Sequence, residues 1–137
     1  QKINKTKYML SKLLSLFKTT NIVSVRGATT VIEDTKKDIE IKTSQLLQEI
    51  FSSNNITKKD ILFIIFSSTE DMKSYYPASV ARKNYGLLNE SLFSTTEPKI
   101  KNSLKLCIRT LIVFKSKIPQ KNLKFIYLEN AKNLRIQ

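Results

Sequence analysis

Val25-Arg26-Gly27-Ala28-Thr29-Thr30-Val31 is the stretch on which the reading of this chain turns. The chain holds two glycines, and Gly27 directly follows an arginine inside an otherwise β-type run. A glycine in a strand weakens it and marks either a bulge or a place where a ligand or second backbone comes close. Arginine grips a carboxylate with a planar two-pronged fork. The local reading is a strand from which Arg26 reaches out of a barrel or cleft toward an anion. A surface arginine beside a bulge would look the same locally, so the rest of the chain has to decide.

The 137 residues make one domain with a real core, and 41% hydrophobic with 26% charged residues is ordinary for a globular protein. No apolar run approaches the ~20 residues that span a bilayer, so no membrane partner is expected. The longest run, Ile61 to Phe66, has the length and composition of a buried strand. The single cysteine, Cys107, excludes an internal disulfide and fits a reducing compartment. The absence of histidine removes His-based triads, His-ligated metals and imidazole acid–base chemistry, and no metal site is expected. The net charge of +13 invites a polyanion. It comes mostly from scattered lysines, without an arginine-rich arm or exposed aromatics between them, which argues against nucleic acid as a dedicated partner.

Residues 1–22 stand apart as a basic N-terminal extension: no acidic residue precedes Glu33, and Leu10, Leu13, Leu14 and Phe17 recur at helical spacing. Such a basic, hydroxyl-rich segment reads either as an organelle transit peptide or as a floppy or surface-docked arm. The domain proper is then 23–137. A first strand is expected from Ile22 to Gly27. Thr35 with Asp38 forms a loose capping box, Asp34 being an equally good cap, ahead of a helix to Ser53 whose apolar face is Ile39, Thr43, Leu46, Leu47, Ile50 and Phe51. The strand Ile61–Ser68 follows. A second helix runs from Pro77 to Tyr85 and stops at Gly86, where a left-handed cap is wanted. Further strands are expected near Ser91–Thr95, over Leu104–Lys115 with Arg109 on one face, and over Lys124–Leu128. The fold class is α+β, a mixed sheet with packed helices or a small mixed barrel.

Five polar or charged residues then fall on or beside strands: Arg26, Arg82, Glu97, Arg109 and Tyr127. Arg109 in Cys107-Ile108-Arg109-Thr110-Leu111 would be costly to bury without an anionic partner. On pattern alone it either faces solvent or Glu97, or serves an anion site.

These residues sit in blocks that resemble the AroH-type chorismate mutases, the trimeric pseudo-α/β-barrel class first known from Bacillus. The blocks are Val25 to Val31, Tyr76-Pro77-Ala78 with Arg82, Cys107-Ile108-Arg109, and Ile126-Tyr127-Leu128-Glu129, and the likeness covers roughly Val23 to Arg135. The resemblance implies a Claisen rearrangement of chorismate to prephenate in phenylalanine and tyrosine biosynthesis, with no cofactor. It implies that Arg109 faces the breaking ether oxygen, that Arg26 and Tyr127 clamp the side-chain carboxylate, and that Glu97 accepts from the ring hydroxyl. Tyr76 and Ala78 would line an apolar wall, Arg82 and Arg135 would supply positive potential at the mouth, and Leu134 would sit at the closing C-terminal edge. The resemblance also implies a homotrimer with sites in the clefts between subunits. Ser94 stands where the Bacillus-type enzyme has a cysteine, Phe93 where it has a small polar residue, Ser79 replaces a lysine, and Asn102-Ser103 replaces a Gly-Gly pair. The family's mobile C-terminal tail is expected to be short or missing here. Two other readings remain: an imine or enamine deaminase of the Rid family, which shares the trimeric fold, and a basic nucleic-acid-binding protein. The expected compartment is the cytoplasm, or the plastid stroma if residues 1–22 are a transit peptide.

Overall fold

The computed structural model describes residues 2–16 and 19–135. In chain order the elements are α1 (Lys2–Leu16), β1 (Asn21–Thr30), α2 (Lys36–Ser53), β2 (Ile61–Ser68), α3 (Pro77–Tyr85), β3 (Ser91–Thr96), β4 (Cys107–Ser116) and β5 (Ile126–Tyr127), with short 3-10 turns at Lys58–Asp60, Gln120–Asn122 and Glu129–Arg135. The strands form one five-stranded sheet in the order β3-β2-β4-β1-β5. β4 runs antiparallel to both β1 and β2, while β1 with β5 and β2 with β3 are parallel pairs. The sheet is mixed, as expected, and within one chain it is open at β3 and β5.

β1 does not stop at Gly27. It continues to Thr30 in unbroken register with β4, Arg26 opposite Leu111, Gly27 opposite Thr110 and Ala28 opposite Arg109. There is no bulge, so the glycine answers to the other requirement, a close approach. A Cβ on Gly27 would stand 2.6 Å from Ile50 Cδ1, 3.2 Å from Leu46 Cδ1 and 3.1 Å from the Ile126 carbonyl oxygen. Gly27 is where α2 and β5 close onto β1.

α2 starts where local chemistry directs. Thr35 Oγ1 accepts from the Asp38 amide, and the Asp38 carboxylate accepts from the amides of Ile32 and Glu33. Asp34 is therefore not the cap; it accepts from the amides of Lys73 and Ser74 and ties down the approach to α3. The expected face of α2 is buried from Ile39 to Ile50, and Phe51 is half-buried, edge-on to Tyr85 at 5.4 Å. Asn54, buried at the C-cap, donates to Ile50 and Lys124 carbonyls and accepts from the Lys124 amide at 2.7 Å. This one side chain ties the end of α2 to the segment leading into β5. α3 begins with Pro77 and ends at Gly86 in the left-handed region (φ 61°), as expected.

β2 keeps its expected limits but is not buried on both faces. Ile61, Ile64 and Phe66 are buried, whereas Leu62 and Phe63 are exposed. The apolar run serves one face only, because α2 and α3 cover one side of the sheet. β4 starts at Cys107 rather than Leu104, since Leu106 lies at φ 50°, outside strand geometry. The last strand contracts from Lys124–Leu128 to Ile126–Tyr127. α1 forms a helix with residues 4–16 exposed, while Phe17 of the expected amphipathic pattern lies outside the described residues.

Candidate active site

The alternation of a strand puts consecutive side chains on opposite faces. On β1, Val25 and Gly27 face α2, so Arg26 faces away from it. The ladder then builds two rows across the open face. One row is Arg26, Leu111, Ile65 and Phe93; the next is Tyr127, Ala28, Arg109, Ser67 and Thr95. Glu97 follows β3 and extends the pairing, its amide donating to the Ser68 carbonyl at 2.8 Å. Arg26, Glu97, Arg109 and Tyr127 line one cavity of about 220 Å³, with Gly27, Ile65, Ser67, Thr110 and Leu111 completing its walls.

Arg109 Nη1 donates to Glu97 Oε2 at 3.3 Å, with the arginine side chain 47% exposed and the glutamate 19%. A pair this open to water contributes ~0–1 kcal/mol to folding, so stability is a poor reason for it. Its effect is orientation, the guanidinium being held across the cavity with donors left over. Arg26 is held differently, its guanidinium carbon lying 5.0 Å from the centroid of the Phe125 ring.

The start of β4, and so the height of Arg109, is fixed by a latch. The Asp71 carboxylate accepts from the Leu106 amide at 2.9 and 3.1 Å and from the Thr69 hydroxyl. Thr69 Oγ1 accepts from the Cys107 amide at 2.9 Å, and the Thr69 amide donates to the Cys107 carbonyl. The Leu106 carbonyl accepts from Val31. These bonds hold Leu106 left-handed, a conformation costing a non-glycine residue ~1–2 kcal/mol. Behind Arg109, Cys107 packs with Ala28 and Ala131, and Tyr127 and Leu134 pack on that cluster. Burial pushes the Cys107 thiol up to about 11, the Arg109 charge pulling it back in part and Glu97 and Asp71 adding to the rise.

The remaining expected site residues lie elsewhere. Tyr76 and Ser94 line a separate cavity of about 580 Å³ between the β3 edge and the loop 68–77. Ser94 and Phe93 alternate, so Phe93 is on the open face and exposed. Ala78 is buried in the main core and Arg82 is exposed on α3; neither is among the residues lining these two cavities. The backbone of Arg135 ends the last 3-10 turn, and its side chain lies outside what is described. Among the described residues no cluster of three or more His, Cys, Asp or Glu side chains could hold a metal ion, and no helix is long and apolar enough to cross a membrane. Phe125 and Asp71 were not singled out from sequence, and the tie from Asn54 to Lys124 was missed as well, because these contacts reach far along the chain.

A small α+β domain carries two arginines, a glutamate and a tyrosine around one cavity on its open sheet face, a set of groups with the charge and donors to attract an organic anion. The family described as chorismate mutase type I matches residues 22–137, and the chain belongs to that family. Among its relatives are chorismate mutase AroH of Bacillus subtilis strain 168, 33% identical over 114 residues (83% of this chain, 90% of the relative), and chorismate mutase AroH of Thermus thermophilus, 36% identical over 112 residues (81% and 91%). The solved chorismate mutase from Clostridium thermocellum superposes with a TM-score of 0.78 at 35% identity, covering 80% of this chain and 97% of that one. α1 lies outside the matched residues.

Proposed function

We propose that this chain is a chorismate mutase, an isomerase that converts chorismate to prephenate, and that the open-face cavity carries the reaction. The supporting observation is the meeting of Arg26, Glu97, Arg109 and Tyr127, residues from four separate segments, around one cavity in a chain of this family. In the rearrangement one carbon–oxygen bond breaks while one carbon–carbon bond forms within the same molecule, so no nucleophile is needed. The substrate must be held folded, which a fixed clamp on its carboxylates achieves. Negative charge grows on the ether oxygen and must meet a donor already in place. Arg109, aligned by Glu97, is that donor. Arg26 and Tyr127 clamp the side-chain carboxylate, and Glu97 accepts from the ring hydroxyl.

Tyr76, Ser94 and Arg82 are assigned to a second half-site, with Ala78 supporting the start of α3; Phe93, paired with Ile65, and Leu134, packed on the cluster that Tyr127 also joins, go with the first, and Arg135 is assigned to its mouth by the resemblance alone. The two cavities are separately lined in one chain, and the resemblance to the trimeric AroH-type enzymes supports a reading in which the two groups complete one site across neighbouring copies, in a homotrimer. The charge of +13 steers a dianion inward. The compartment proposed is the cytoplasm, or the plastid stroma if residues 1–22 act as a transit peptide; the support is the free, buried thiol of Cys107. The test is to add the purified protein to chorismate, follow loss of diene absorbance and identify prephenate as the product. Glu97→Ala should lose most of that rate. No conversion by the folded parent would refute the reading.

A further inference from the structure

The two arginines of the cavity are held by different physics. Arg109 has a carboxylate neighbour, which takes an N–H donor and offsets its charge. Arg26 has the face of Phe125 at 5.0 Å. A ring attracts a cation through its quadrupole and takes no donor from the guanidinium edge. Phe125 is itself well fixed: it is half-buried against the main core, and its neighbour Lys124 is gripped at both amide and carbonyl by Asn54. The β1–β5 register, Gly27 opposite Ile126, brings Phe125 beside Arg26. The other groups around Arg26 in the cavity are Leu111, Ile65, Tyr127 and Glu97, and the Glu97 carboxylate is engaged with Arg109.

We infer that Phe125 is a positioning residue for this reaction, an aromatic rest that holds the Arg26 guanidinium toward the substrate carboxylate while leaving its charge and its donors unspent. The inference rests on the proposed chorismate mutase reading and extends it to a residue that need not touch substrate. It also accounts for an exposed arginine that rests on a ring and forms no ion pair among the described residues.

A double-mutant cycle tests it. Phe125→Leu keeps apolar bulk against the core and removes the ring; KM for chorismate should rise ~3–30-fold, the span of a cation–π contact, with kcat changed less than KM. Phe125→Tyr keeps the ring and should restore the parent KM. In an Arg26→Ala background, Phe125→Leu should add little further change. Equal losses in both backgrounds would make Phe125 a packing residue and overturn the inference, as would failure of Phe125→Tyr to rescue. A second readout needs no turnover: the Arg26 side-chain N–H resonance of the parent should carry a ring-current shift that Phe125→Leu abolishes. An unshifted resonance would also overturn the inference. A parent that shows the shift but leaves chorismate unchanged would instead refute the reaction.

Discussion

The two cavities beside the sheet are made of different materials. The smaller one draws on β1, β2, β4, β5 and the residue after β3, and its lining brings two guanidinium groups, a carboxylate and a phenol together. The larger one lies along an edge strand and a loop; hydroxyl and aromatic groups such as Thr69, Tyr76 and Ser94 make up most of its wall, and its charged members, Glu70 and Lys73, include no arginine. Strands in a ladder hold side chains rigidly, which electrostatic catalysis needs, because a donor that must reorganise during the reaction loses its advantage. An edge and a loop hold shape less firmly and suit contacts that orient a ring. Under the proposed function the difference corresponds to a division of labour: charge stabilisation in one region, alignment in the other.

The sharpest way to break that division is at Arg109. Arg109→Ala should lower turnover by ~10²–10³-fold, the usual effect of deleting a charge-stabilising donor. Arg109→Lys should also be badly impaired, since an ammonium cannot present the fork. Near-normal rates in both would end the distinction. Next in size is Gly27→Ala, where the new Cβ would meet Ile50 at 2.6 Å. Overpacking of this kind costs ~1–3 kcal/mol, and the isoleucine tip can yield in part. Denaturant titration should show the loss, and an unchanged midpoint would mean that α2 is not pressed against β1. Ser94→Ala probes the other cavity and should cost only ~2–10-fold in rate, one neutral hydrogen bond. A loss as large as that at Arg109 would make the larger cavity equally electrostatic.

Cys107 has no part in the proposed chemistry and reports only on the wall behind Arg109. With its thiol raised to about 11, the folded protein should alkylate ~100-fold more slowly at pH 8.5 than the unfolded chain. The sign for stability follows: the unfolded thiol ionises near ~8.5 and the folded one later, so stability declines as pH rises from ~8.5 toward about 11. Equal alkylation rates would place Cys107 outside the packed cluster.

What could be read from sequence was what is settled locally. Thr35 as a cap, the limits of β2, and Pro77 with Gly86 around α3 depend on residues within a turn or two, and they appeared where expected. The misreadings came from long-range bonds. Asp71 reaches Leu106, 35 residues on, and delays β4; Asn54 reaches Lys124, 70 residues on, and sets the approach to β5. Gly27 pointed correctly to a close approach, but its partners on α2 could not be named from sequence. For the candidate site, an arginine on a strand was a physical signal. Its grouping with Glu97 and Tyr127 came from the family resemblance, and the aromatic partner of Arg26 from neither. A phenylalanine two residues before a tyrosine has the pattern of any strand.

The claim that joins both regions is that each supplies half of one active site from neighbouring chains. It is tested most directly by co-expressing Arg109→Ala and Arg82→Ala chains and measuring chorismate loss beside each variant alone. Random co-assembly in a symmetric trimer should leave about one quarter of the sites with both halves intact, so the mixture should regain roughly that fraction of parent activity while each variant alone stays impaired. Activity no higher than the mean of the two single variants, in a mixture shown to contain mixed trimers, would contradict a shared site.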